Sequence, residues 1–445
     1  MKGNSLQKIS KDNQNYRWVI LLVFVSSQII LSIGGYGWGP LAPFLKQLLS
    51  LSITQIGTIS SVFYFTSALS SFPAGIIVDR YGVKSGLLLW LGLTGAPLIS
   101  VSFVHYTLSI FLLMVGISGL GYGMGNPVAS KGLFIWFDQH ARGMVFGIKQ
   151  SAVTIGAAVA GIFLVYLSQR IGPFVALRTV GLMILAMVIP AFFLYRAPQL
   201  GHATPSGAGL KDERSVKSGF RDLFTNRALL IVSMIMAMLG LAQGIVVTFF
   251  LLYVNERLGY SLLAAGSILT TVMISGAVGR VFWGVVSDRL FNGSRKPVLI
   301  IISTLAALSF AILAFWSSTW IKWLFLPVVI GVGLSSVGWN SIALVLVAEI
   351  SSNSKTATSI GLATTVSWAG LSLGPIGFGI LTDHFGYFFS WMSLTVFCCL
   401  CLILCFLIPV SEAYNQRLKM MQVIITLKHK LWGPKTSYPR KELNK

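Results

Sequence analysis

Long apolar runs broken by short polar stretches dominate the chain. A helix that crosses a hydrocarbon core about 30 Å thick needs about 20 mostly apolar residues. Twelve runs meet that requirement, near residues 18–44, 53–78, 85–104, 107–130, 143–167, 174–195, 228–253, 263–287, 297–317, 321–348, 356–381 and 386–409. None alternates polar and apolar residues over about ten positions, as a membrane β-barrel strand does. The pattern predicts an all-α membrane protein. Residues 1–17 and 410–445 are polar or basic tails, and 197–227 is a long polar loop. That loop separates an N-terminal six-helix bundle, 18–196, from a C-terminal one, 228–409. Met1–Tyr16 is polar and the first apolar run is too long for a signal peptide.

Composition agrees: 55% of the 445 residues are hydrophobic and 10% are charged. Soluble domains carry roughly 25% charged residues. The net charge of +21 at first suggests a nucleic-acid partner. Its distribution argues against one. With the N-terminus inside, 26 of the 33 Lys and Arg residues fall on inside segments and four, Lys46, Arg170, Arg257 and Lys322, fall outside. Inside loops of membrane proteins are enriched in Lys and Arg. The expectation is a protein of the cytoplasmic membrane with both termini cytoplasmic. The last three basic residues, Lys149, Arg178 and Arg280, lie within apolar runs.

The halves echo each other. At a shift of 214 residues Gly119-Leu120 falls on Gly333-Leu334, Asn126 on Asn340, Gly156 on Gly370 and Gly172 on Gly386. Gly75-Ile-Ile-Val-Asp79-Arg80-Tyr-Gly82-Val-Lys84 follows span two, and Gly284-Val-Val-Ser-Asp288-Arg289 follows span eight. At these residues the chain resembles the major facilitator superfamily over all twelve spans. The resemblance implies two pseudo-symmetric six-helix bundles around a central site, working by alternating access. It places Asp79 near the start of span eleven and Asp288 near the start of span five, where a helix dipole stabilises a carboxylate. Gly75, Asp79, Arg80, Lys84, Asp288 and Arg289 are then gating residues, and Asp79 and Asp288 otherwise read as solvated loop charges.

An ionisable residue inside a span is a functional candidate. Lys149 lies seven residues past Arg142, and Arg280 lies eight before Asp288. At 1.5 Å per residue both sit about 10–12 Å deep. Spans five and eight face each other in the superfamily, so the two cations converge on one cavity. With no carboxylate between them they suit an anion, the guanidinium as a fork and the ammonium as a point charge. The competing readings are a helix–helix contact for Arg280 and snorkelling for Lys149; Arg178, near the outer surface, reads as snorkelling. Asp79, Asp288, Glu349 and Asp383 all stand at helix ends, and no Asp, Glu or His is in mid-span.

Ile117 stands where drug/proton antiporters of the superfamily carry an Arg in span four. Gly279-Arg280-Val-Phe-Trp283-Gly284 resembles span eight of oxalate/formate-type antiporters and monocarboxylate carriers, and Lys149-Gln-Ser resembles cyanate-permease-like carriers. The span-eleven Lys of the oxalate/formate type is missing from Thr364–Gly370. Further lining candidates are Tyr36 and Trp38 in the glycine-rich break Gly34–Pro40, Asn126, Asn340, Gln150, Gln243, Tyr64, Tyr253 and Trp368. Tyr36 and Trp38 read equally as an interfacial belt, and the two asparagines as helix packing.

Cys398, Cys399, Cys401 and Cys405 crowd one span without metal spacing, and no phosphate loop or His-Glu-x-x-His occurs. The chain is expected to be no enzyme, with no catalytic residue, cofactor or metal. The expected function is secondary transport of a small organic anion, a mono- or dicarboxylate, by proton symport or anion exchange. The partners are then a proton or counter-anion and the lipid bilayer, and the carrier is a monomer. The alternative is an efflux carrier for a neutral or hydrophobic compound.

Overall fold

The computed structural model describes residues 11–409, apart from 102, 104–106, 138, 197–225, 318 and 352–355. Residues 1–10 of the N-terminal tail, all of 410–445 and nearly all of the 197–227 loop therefore lie outside the described residues, and residues 11–17 of the N-terminal tail are helical. The described residues are helical with no strand, and they form twelve membrane helices. Ten segments are each long and apolar enough to cross a bilayer, and one of these, Ser359–Leu407, is itself two spans. The segment 53–72 falls outside that set, since Thr54, Gln55, Thr58, Ser60, Ser61, Tyr64, Thr66 and Ser67 interrupt its apolar run.

Two helices turn back through glycines. Ile53–Val101 bends at Gly82, with φ 84° and ψ 166°. Thr356–Leu407 bends at Gly386, with φ 79° and ψ 172°. A side chain rarely adopts that backbone, so glycine is the residue that lets spans two and three, and eleven and twelve, join without a loop.

Other spans are broken in mid-membrane. Span one runs as Lys11–Gly35 and Trp38–Leu49, which meets the expected break at Tyr36 and Gly37. Spans four and ten break at equivalent places, into Leu108–Gly123 and Gly125–Trp136, and into Phe325–Ser336 and Asn340–Ile350. Asn126 and Asn340 stand in the first turn of the second half-helix. The 214-residue register thus relates two helix breaks as well as two residues.

Lipid offers no hydrophobic drive between helices, so small residues and hydrogen bonds build the seams. The seam between the halves is tight at the end that carries Asp383. A β-carbon at Gly39 would collide with the carbonyl of Val247, and one at Gly57 with that of Pro375. A β-carbon at Gly379 would lie 2.8 Å from the carbonyl oxygen of Ile53. Thr270 donates to the carbonyl of Ala158 at 2.7 Å, and the amide of Ile376 donates to Ser61 Oγ at 3.2 Å. At the end that carries Asp79 and Asp288 the halves part. Added β-carbons at Gly75, Gly147, Gly284 and Gly361 would meet nothing within 4 Å. One end is sealed and the other is open.

Candidate functional site

A cavity of about 550 Å³ lies between the halves. Spans one, two, four and five line it from one side, and spans seven, eight, ten and eleven from the other. Tyr36, Asn126, Lys149, Gln150, Gln243, Arg280, Asn340 and Trp368 all border it. Of the three cations in the apolar runs, Lys149 and Arg280 border this cavity and Arg178 does not.

Lys149 is buried, with 1% of its surface exposed. Its Nζ donates to Asn126 Oδ1 at 2.7 Å and to Gln150 Oε1 at 3.2 Å. The ring of Phe146 is centred 5.7 Å from the ammonium. Both acceptors are neutral amides. Among the described residues no carboxylate pairs with Lys149 or Arg280. Arg280 Nε is buried and without a hydrogen-bond partner among the described residues. Leaving a buried donor on a charged group unmade costs at least about 1–3 kcal/mol, so this nitrogen favours any acceptor that enters. Tyr36 and Tyr122 are its electrostatic neighbours. Ser341 Oγ donates to the Arg280 carbonyl at 2.8 Å and ties span eight to the broken span ten.

Asn126 borders the cavity and accepts from the Lys149 ammonium there. Asn340 borders the same cavity from the other half. The pair therefore places one amide on each side.

Three expected lining residues stand elsewhere. Trp38 is buried against Phe63 and Phe111, with ring centroids 5.8 and 6.4 Å away. It packs inside the N-terminal half and does not border the cavity. Tyr253 donates its hydroxyl to the carbonyl of Leu313 at 2.6 Å and packs on Tyr387 and Trp391. Tyr64 is buried under Tyr36 and Phe63. An aromatic in a span looks the same in sequence whether it lines a cavity or packs a seam.

The cavity also uses Gln28, Ser67, Ser71, Tyr122, Ser130, Thr364 and Thr365. Gln28 Nε2 donates to Ser32 Oγ at 3.0 Å, and Ser32 Oγ lies 3.3 Å from the Tyr122 hydroxyl. Gln28, Ser32 and Tyr36 recur every four residues on span one. That spacing marks one helix face, and it is the signal that could have found them.

The loop residues sit at the open end. Asp79 pairs with Lys131 of its own half at 2.6 Å, and Asp288 pairs with Arg295 of its own half at 2.6 Å. Arg295 also reaches Glu349 at 3.2 Å. Arg80 lies over the ring of Tyr81 at 5.4 Å and Lys84 over that of Phe192 at 4.0 Å. Arg289 is exposed. Arg178, outside the cavity, stacks over Phe103 at 4.1 Å.

A family model described as the Major Facilitator Superfamily matches residues 24–375. A probable hexose phosphate transport protein of Chlamydia muridarum is 24% identical over 408 residues, 85% of this chain and 87% of that protein. The hexuronate transporter of Bacillus subtilis is 26% identical over 292 residues, 63% of this chain and 67% of that protein. Among solved structures, a bacterial homolog of the human lysosomal transporter Spinster, inward-facing and unoccupied, superposes with a TM-score of 0.75 at 16% identity, over 88% of this chain and 97% of that one.

Proposed function

Because this chain belongs to the major facilitator superfamily, and so is a membrane transporter and no enzyme, we propose that it carries a small organic anion held between Lys149 and Arg280. The observation behind this reading is one cavity bordered by a cation from each half, with no carboxylate paired to either among the described residues. A cation-binding carrier needs the opposite arrangement. The amides and hydroxyls around the cations suit a substrate that carries hydroxyl groups beside its charge. The printed names of the relatives, a hexose phosphate transport protein and a hexuronate transporter, support an anionic and hydroxylated class. A mono- or dicarboxylate belongs to that class, moved by proton symport or by exchange.

Alternating access follows from two faces that close in turn. The distribution of Lys and Arg supports a cytoplasmic location for the open end. The carrier is then captured open to the cytoplasm. In this reading Asp79 leaves Lys131 when the cytoplasmic side closes and meets the start of span eleven, while Asp288 leaves Arg295 for the start of span five. Gly75 permits the close approach, and Arg80, Lys84 and Arg289 hold the loops at the membrane surface. Asp79→Asn is expected to slow interconversion about tenfold, the loss of a charge at a helix N-terminus, with ligand affinity within about twofold of wild type. Single-turnover exchange measured beside equilibrium binding checks this, and a loss of affinity alone counts against it.

The test of the function is counterflow in proteoliposomes against hexuronates, hexose phosphates, simple mono- and dicarboxylates, neutral sugars and hydrophobic dyes. Uptake confined to the anions supports the reading. Uptake of neutral sugars or dyes at equal rates overturns it.

A further inference from the structure

Asp383 follows span eleven on the sealed, outer face. Its surroundings are unlike those of any other carboxylate in the described residues. It accepts hydrogen bonds from the backbone amide of Ile53 at 3.0 Å, the amide of Thr54 at 2.8 Å and the Thr54 hydroxyl at 2.6 Å. Ile53 and Thr54 begin span two, in the other half of the molecule. The same helix start carries a capping box of its own. Ser52 Oγ accepts from the amide of Gln55 at 3.1 Å, and Gln55 Oε1 accepts from the amide of Ser52 at 2.9 Å. The first turn of a helix leaves amides without partners. Here the third is met locally, and the first two are met by a carboxylate from across the interface.

The sequence around Asp383 is a further copy of the loop pattern. Gly379-Ile-Leu-Thr-Asp383-His-Phe-Gly386 repeats Gly75-Ile-Ile-Val-Asp79-Arg-Tyr-Gly82, residue type for residue type at the glycines and the aspartate. Gly82 and Gly386 adopt the same backbone within about ten degrees. The two copies sit on opposite faces of the membrane, and their partners are reciprocal. Asp383 of span eleven caps span two, and Asp79 belongs to span two. Gly379 lies close against Ile53, whereas the space beside Gly75 is open.

We propose that Gly379-x-x-x-Asp383 is an outer latch, mirror to the cytoplasmic element, and that its closure holds the carrier open to the cytoplasm. Lys46 and Glu256 add a second tie across the same face at 2.7 Å, and Tyr387 donates to Glu256 at 3.2 Å. The latch is reversible because both sides return to water when it opens. The carboxylate is hydrated, and the freed amides at the start of span two meet solvent. The proposal rests on the alternating-access reading and is independent of what the substrate is.

Hydrogen–deuterium exchange on the intact, ligand-free protein tests it. Asp383→Asn is expected to raise exchange roughly fivefold or more, the scale of losing a charge at a helix start, along the outer seam of both halves, residues 39–49 and 247–256. Exchange falls at the same time in the cytoplasmic segments 75–81 and 284–290. Lys46→Gln moves the same segments in the same direction by a smaller factor, and it serves if Asp383→Asn does not fold. Asp79→Asn leaves the outer seam protected. Faster exchange confined to residues 53–56 shows a local helix cap only and overturns the latch, as does no change. Because no substrate is added, failure of the anion reading leaves this result untouched.

Discussion

Arg280→Ala is expected to lower counterflow uptake of an anionic substrate by about 30-fold or more, since a buried charge-assisted contact is worth about 2–5 kcal/mol. Arg280 Nε is a buried donor with no partner among the described residues. That geometry leaves it free for a ligand, and a guanidinium used only to join helices would spend its donors on protein acceptors. Arg280→Lys is expected to recover little, because a point charge does not reproduce the fork. Lys149→Ala is expected to cost less, about tenfold to 30-fold, since Asn126 and Gln150 remain as polar lining. Size-exclusion profiles equal to wild type exclude misfolding as the cause. Wild-type uptake by both alanine variants would remove the anion site from consideration.

Gly39→Ala is expected to cut transport at least tenfold by a wholly different route. The added methyl group meets the carbonyl of Val247 across the sealed face. Overpacking of this kind costs about 1–3 kcal/mol, and the collision exists only while that face is closed. The variant therefore shifts toward the outward-open state. It should bind substrate from outside and release it poorly inside. Uptake into vesicles of inverted and native orientation, beside binding, measures the asymmetry. Equal losses in both orientations with lost binding would indicate plain unfolding.

Much of this architecture was legible in the residues because the bilayer imposes it. Twelve apolar runs become twelve spans, since unpaired backbone cannot stand in lipid. Lys149 and Arg280 were legible for the same reason, and counting from Arg142 and Asp288 gave their common depth. What was not legible depends on which way a helix faces. Trp38, Tyr64 and Tyr253 pack seams, while Tyr36 and Tyr122 border the cavity, and an aromatic in a span carries no mark of the difference. Nothing in the sequence around Asn126 marks that its oxygen accepts from the Lys149 ammonium, 23 residues on. Asp383 looked like one more charge at a helix end. Its pattern with Gly379 and Gly386 stood in the sequence, but its partner lies 329 residues away in chain order, at Thr54.

The two cations in the cavity also make the carrier an electrical device. In the orientation proposed above, with the sealed face outside, most of the transmembrane voltage falls across that seal, and Lys149 and Arg280 sit near the cytoplasmic potential. In the opposite state they sit near the potential outside. Each elementary charge is worth about 2.3 kcal/mol per 100 mV. An inside-negative membrane therefore favours the empty, cytoplasm-open carrier by up to about 4–5 kcal/mol for two charges. An entering anion cancels part of that bias. The membrane voltage thus acts mainly on the empty carrier's return, and a doubly charged substrate makes the loaded crossing nearly voltage-independent.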